Sequence, residues 1–169
     1  MIRRYFHQLT TGISFGLTSA VITSLGMIVG LNSATSSRLV VISGIVIMAI
    51  ADGLSDAAGV HISEEAELEK GGAKHSNKEI WAATIVTFIS KFTFTLTFVM
   101  PFLIFSLGSA VIVAIIWGMA LLTFLNLSIA KIKKENPVKL IIEHVLLALF
   151  VVAISHSVGH LMYRWIGLK

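Results

Sequence analysis

Two aspartates, Asp52 and Asp56, stand four residues apart in the otherwise apolar run IVIMAIADGLSDAAGVHIS. On a helix this spacing puts both carboxylates on one face, which Gly59 and Ser63 continue. Like charges so close favour a shared proton or a bound cation, and paired oxygen donors suit hard divalent ions. The next apolar block, 80–130, holds a single charge, Lys91, so an ion pair is the competing chemistry. Asp52 lies ten residues before the inner end of its segment and Lys91 eleven residues past the inner start of the next. At 1.5 Å rise per residue both sit about 15–17 Å above the same surface. The expectation is an Asp52–Lys91 pair that is mainly structural, with Asp56, about 9 Å deep, as the freer carboxylate and first candidate ligand.

Other groups qualify the picture. The first apolar segment carries Gly12, Gly16, Ser19, Thr23, Gly26 and Gly30, spaced 4, 3, 4, 3, 4. Small residues let backbones approach closely, so the stripe either packs tightly within the bundle or meets its own copy across a two-fold axis; the expectation is the second, a homodimer through Gly12, Gly16, Gly26 and Gly30. Ser19 and Thr23 fall near the depths of Asp56 and Asp52 and are expected to add hydroxyls to a polar conduit, unless each merely bonds the carbonyl four residues back. His156 and His160 are also i, i+4, but an HxxxH without a third ligand is weak evidence of a metal site. The stretch SEEAELEKGGAKHSNKE should extend the second helix until Gly71-Gly72 stops it, with Glu65 and Glu69 as candidate cation-gathering carboxylates.

The elements that position these residues follow from composition. Of 169 residues 56% are hydrophobic and 13% charged, about half the charge density of a soluble domain, so a soluble enzyme is excluded. Apolar blocks at about 13–31, 39–62, 80–130 and 139–163 each need roughly 20 residues to cross a bilayer. The third is long enough for two spans, and Ser106-Leu107-Gly108-Ser109 marks the hairpin. The expected fold is an all-α, single-domain bundle of five transmembrane helices, at about 13–31, 39–62, 80–106, 109–130 and 139–163. The absence of period-2 alternation excludes a β-barrel.

Nine Lys and Arg residues fall at the N-terminus and in the 63–79 and 131–139 loops, against Arg38, Arg164 and Lys169 on the other side. Positive loops stay cytoplasmic, so the N-terminus is expected inside and the C-terminus outside. The opening MIRRYFHQ imitates a secretory signal, but its apolar run has full spanning length and further spans follow. The formal charge of +4 is spread over these topology clusters and gives no reason to expect nucleic acid as a partner. With no cysteine there is no thiolate ligand or nucleophile, and no HExxH, GxSxG or nucleotide-binding glycine loop suggests an enzyme.

Several segments together resemble the vacuolar iron transporter-like family. SAVITSLGMIVGLNSA is similar to the family's Asp-Gly-x-x-Thr-x-x-Gly-Leu-x-x-Gly segment, and ADGLSDAAGVHIS to its Ala-Gly-Ala-x-Ser-Met-x-x-Gly-Glu-Tyr-x-Ser segment. NKEIWAATIVTFISK resembles the start of the family's third helix, Pro101 the proline that follows it, and EHVLLALFVVAISHSVGHLM the last helix. The match is one of small residues and spacing. By register the family's helix-one aspartate falls on Ser19, its methionine on Asp56, its glutamate on Val60 and its tyrosine on His61. The long cytoplasmic metal-binding helices shrink to a short loop.

The resemblance implies a five-helix dimer that moves a divalent metal of the Fe²⁺/Mn²⁺ class in exchange for protons, with no prosthetic group. Replacing a soft Met by Asp56 makes the site harder. The expected set is then Asp56, Asp52, Ser19 and Thr23, fed by Glu65 and Glu69, in an integral protein of a prokaryotic plasma membrane rather than an organelle. The alternative is a non-transporting binding or scaffold protein of the same fold that has lost the family's ligands.

Overall fold

The computed structural model describes residues 2–71 and 76–166, and all its regular elements are helices. They are α1 (Ile2–Thr35), α2 (Arg38–Gly71), α3 (Asn77–Thr97), α4 (Val99–Ile104), α5 (Leu107–Lys133) and α6 (Pro137–Ile166). With α3 and α4 taken as one broken span, five segments are long and apolar enough to cross a membrane: Gln8–Thr35, Arg38–Ala66, Asn77–Ile104, Leu107–Lys133 and Pro137–Ile166. This is the all-α, five-span bundle the sequence predicts, in an integral membrane protein.

Most helices run beyond the apolar blocks. The first begins at Ile2, and α2 continues through the glutamates to Gly71, where the glycine pair was expected to stop it. The third span differs. It breaks at Phe98, three residues before Pro101, because proline has no N–H for the Thr97 carbonyl and its ring crowds that turn. The Trp117 indole N–H donates to the Thr97 hydroxyl at 3.0 Å across this break. At the hairpin, Phe105 and Ser106 leave helical geometry and the Arg38 guanidinium donates to the Phe105 carbonyl at 2.8 Å. At the other membrane face α3 starts with the Glu79 carboxylate accepting from the Ser76 backbone N–H at 2.7 Å, half of a capping box.

The first helix is central and packs against α2, α3, α5 and α6, while α2 also packs on α3 and α6 on α5. Its small-residue stripe makes this possible, but within the chain. A side-chain carbon at Gly12 would stand 3.1 Å from the Ala83 carbonyl, and one at Gly16 2.9 Å from the Thr87 carbonyl, so these two seat α1 on α3. One at Gly26 would stand 2.8 Å from Val151, while Gly159 of α6 leaves no room beside the Gly30 carbonyl. The expected dimer interface through Gly12, Gly16, Gly26 and Gly30 is therefore corrected: α3 takes one end of the stripe and α6 the other. Val21, Leu25 and Ile28 of α1 then meet Val41 and Ile45 of α2, Phe98, Phe102 and the small faces of α5 in one apolar core.

Candidate functional site

Near the middle of the third span the Lys91 side chain is fully buried. Its ammonium donates to the Ser19 hydroxyl at 2.7 Å and to Asp56 Oδ2 at 2.5 Å. Asp52 Oδ2 lies 2.5 Å from the same nitrogen, as an ion pair rather than an aligned hydrogen bond. An ammonium has three donors, and three oxygens from two other helices meet it. Burial of such a charge inside a bundle is tolerable only with partners of this kind.

The Asp52–Lys91 pairing agrees with the depth argument, but the role given to Asp56 needs correction. Asp56 is not the freer carboxylate: it shares Lys91 and is the more enclosed of the two, with 18% of its side chain exposed against 32% for Asp52. Helical side chains lean toward the N-terminus of their helix. The third span therefore tips Lys91 toward its Asn77 end while the antiparallel α2 tips Asp56 the opposite way, and the two heads meet although their backbones sit at different heights. Two carboxylates against one ammonium carry a formal surplus of one negative charge.

The other candidates are placed differently. Ser19 joins the cluster. Thr23 does not: its hydroxyl donates to the Ser19 carbonyl at 2.8 Å, the local bond that competed with the conduit reading. Gly59 and Ser63 face outward, with nothing within 4 Å of a carbon added at Gly59. Glu65 lies one turn beyond His61, its carboxylate 3.5 Å from the His61 ring and 60% exposed, away from Lys91. The side chain of Glu69 falls outside the described residues. His156 meets the Ser33 hydroxyl at 2.8 Å, with the His160 ring centroid 6.4 Å from its own. Among the described residues no three His, Cys, Asp or Glu side chains are grouped as a metal would need.

The fold places several further polar groups: the sequence reading does not single out Gln8 and gives His61, Glu64 and Glu79 no contacts. His61 meets Thr84 at 2.9 Å and the edge of Trp81. Gln8, Glu64 and Glu79 are buried at the end of the bundle where α2 finishes and α3 begins. His61 and Glu64 lie three residues apart beyond Asp56, a spacing that could have signalled a polar continuation of α2. No protein-family model and no curated protein matches this chain.

Proposed function

We propose that this protein is a membrane transporter of a divalent metal cation of the Fe²⁺/Mn²⁺ class, working by exchange for protons. The observation that carries the reading is the convergence of Asp52, Asp56 and Ser19 on one buried point within the membrane-spanning bundle. Hard oxygen donors in that number suit Mn²⁺ or Fe²⁺, and the Lys91 ammonium marks where positive charge is held between them. The surplus negative charge and the partial exposure of both carboxylates leave oxygen lone pairs for an arriving ion. In this reading the ion takes the two carboxylates from Lys91, and protons balance the charge. The resemblance to the iron transporter-like family supports the ion class, with the ligands rearranged onto α2.

A homodimer belongs to the same reading. A carboxylate with a third of its surface exposed at mid-span is costly against lipid. A second copy laid along α2 would cover it, away from the glycine stripe. The competing reading, a scaffold protein with no transport, draws on the completeness of Lys91's coordination, which makes a static structural pin.

Reconstitution decides between them. Wild-type protein in liposomes should take up Mn²⁺ against an opposing proton gradient. Asp56→Asn, which keeps the size but loses the anionic ligand, should lower uptake at least about tenfold while remaining folded, since a lost charged contact costs upwards of 1.4 kcal/mol. No uptake of any divalent ion by the wild type would leave the scaffold reading standing.

A further inference from the structure

Two rows of residues spaced by four lie against each other along the contact of α1 and α3. Gly12, Gly16, Ala20 and Ser24 make one row, and Ala83, Thr87, Lys91 and Thr95 the other; all eight are buried. The Gly12 position stands against Ala83 and Thr87, and the Gly16 position against Thr87 and Lys91, so the helices run in the same direction with matched steps. Continuing that register sets Ser24 against Thr95 and the turn that follows it, beyond Lys91 toward the C-terminal ends of both helices.

Both hydroxyls are 0% exposed, and neither has a hydrogen-bond partner among the described residues. They depart from a habit of this chain. Thr23, Thr84, Thr87, Thr97, Thr123 and Ser128 each donate to a carbonyl three or four residues back. A buried hydroxyl left without a partner is destabilising, and two set against each other across one helix contact have one remedy in common. We propose that Ser24 and Thr95 bind a water molecule between α1 and α3, extending the polar site one turn beyond Lys91. Two hydroxyls, each able to donate and accept, meet the minimum that a buried water requires. Past this level Ile28, Phe98 and Phe102 close the core. Resting on the transport reading, one consequence follows: this water is the first polar stop for an ion leaving the aspartates toward that end.

A thermal cycle on the purified full chain tests the water itself. Ser24→Ala and Thr95→Val should each lower the melting temperature by about 2–4 °C, because the water keeps only one partner, and the double variant should lose less than the sum. Ser24→Thr and Thr95→Ser should behave as wild type. Additive effects, whether they raise or lower stability, would overturn the proposal, since two dry hydroxyls do not couple. Mn²⁺ uptake by the same variants separates the two readings. A coupled cycle with no uptake by the wild type rejects transport and keeps the water; an additive cycle with wild-type uptake intact does the reverse.

Discussion

Lys91 holds the site together through charge, and the energetics of buried charge say how it should fail. Removing it leaves Asp52 and Asp56 facing each other inside the bundle without their cation, a loss of about 3–5 kcal/mol for a broken buried pair. Lys91→Met should therefore lower the melting temperature sharply, whereas Lys91→Met combined with Asp52→Asn and Asp56→Asn should recover much of it, because no unpaired charge remains. A triple variant as unstable as the single one would mean that the lysine stem, not its charge, supports the fold. At this scale the sequence disclosed that a lysine and an aspartate meet at mid-span, since both depths follow from residue counts. It did not disclose that both aspartates share the ammonium. Height along the axis was measured at the backbone, while the lean of side chains on antiparallel helices brings the Lys91 and Asp56 heads toward each other.

Helix one shows how much a pattern on a single element leaves open. Its glycines announce close backbone approach, but a stripe does not name its partner, and the same stripe would serve a second copy or two helices of its own chain. The deciding information lies in the facing surfaces: Ala83, Thr87 and Ser90 on α3, and Val151, Ser155 and Gly159 on α6. Gly16→Ala should destabilise the single chain by about 1–3 kcal/mol, because the new methyl would press on the Thr87 carbonyl and the Ser90 side chain, which cannot withdraw without opening the helix pair. Gly59→Ala is the contrast. Open space surrounds it, so the gain in helix propensity should leave stability unchanged or up to ~1 kcal/mol higher. Unfolding in detergent measures both; equal losses at the two positions would deny the close packing of α1 on α3. The break at Phe98 was similarly half legible: Pro101 marks a disturbance, but its effect falls on the preceding turn, where the freed carbonyl sits.

For the whole molecule, the number of spans was legible because apolar length is counted directly against bilayer thickness. Orientation rests on charge, and here the absence of cysteine becomes useful. Single cysteines can be placed without interference at Ser36 and Ser106, in the turns between α1 and α2 and between α4 and α5, and at Asn136, in the turn between α5 and α6. The nine-to-three bias of Lys and Arg puts Asn136 on the cytoplasmic side and the two serines outside. A membrane-impermeant maleimide added to intact cells should label the Ser36→Cys and Ser106→Cys chains, and should label Asn136→Cys only after the membrane is opened. The reverse pattern would invert the molecule, turning toward the outside the polar end where Gln8, Glu64 and Glu79 lie. Labelling of all three from one side would reject five spans altogether, because the turns at 106 and 136 are separated by α5 alone, and that helix, 27 residues of almost unbroken apolar sequence, has to cross.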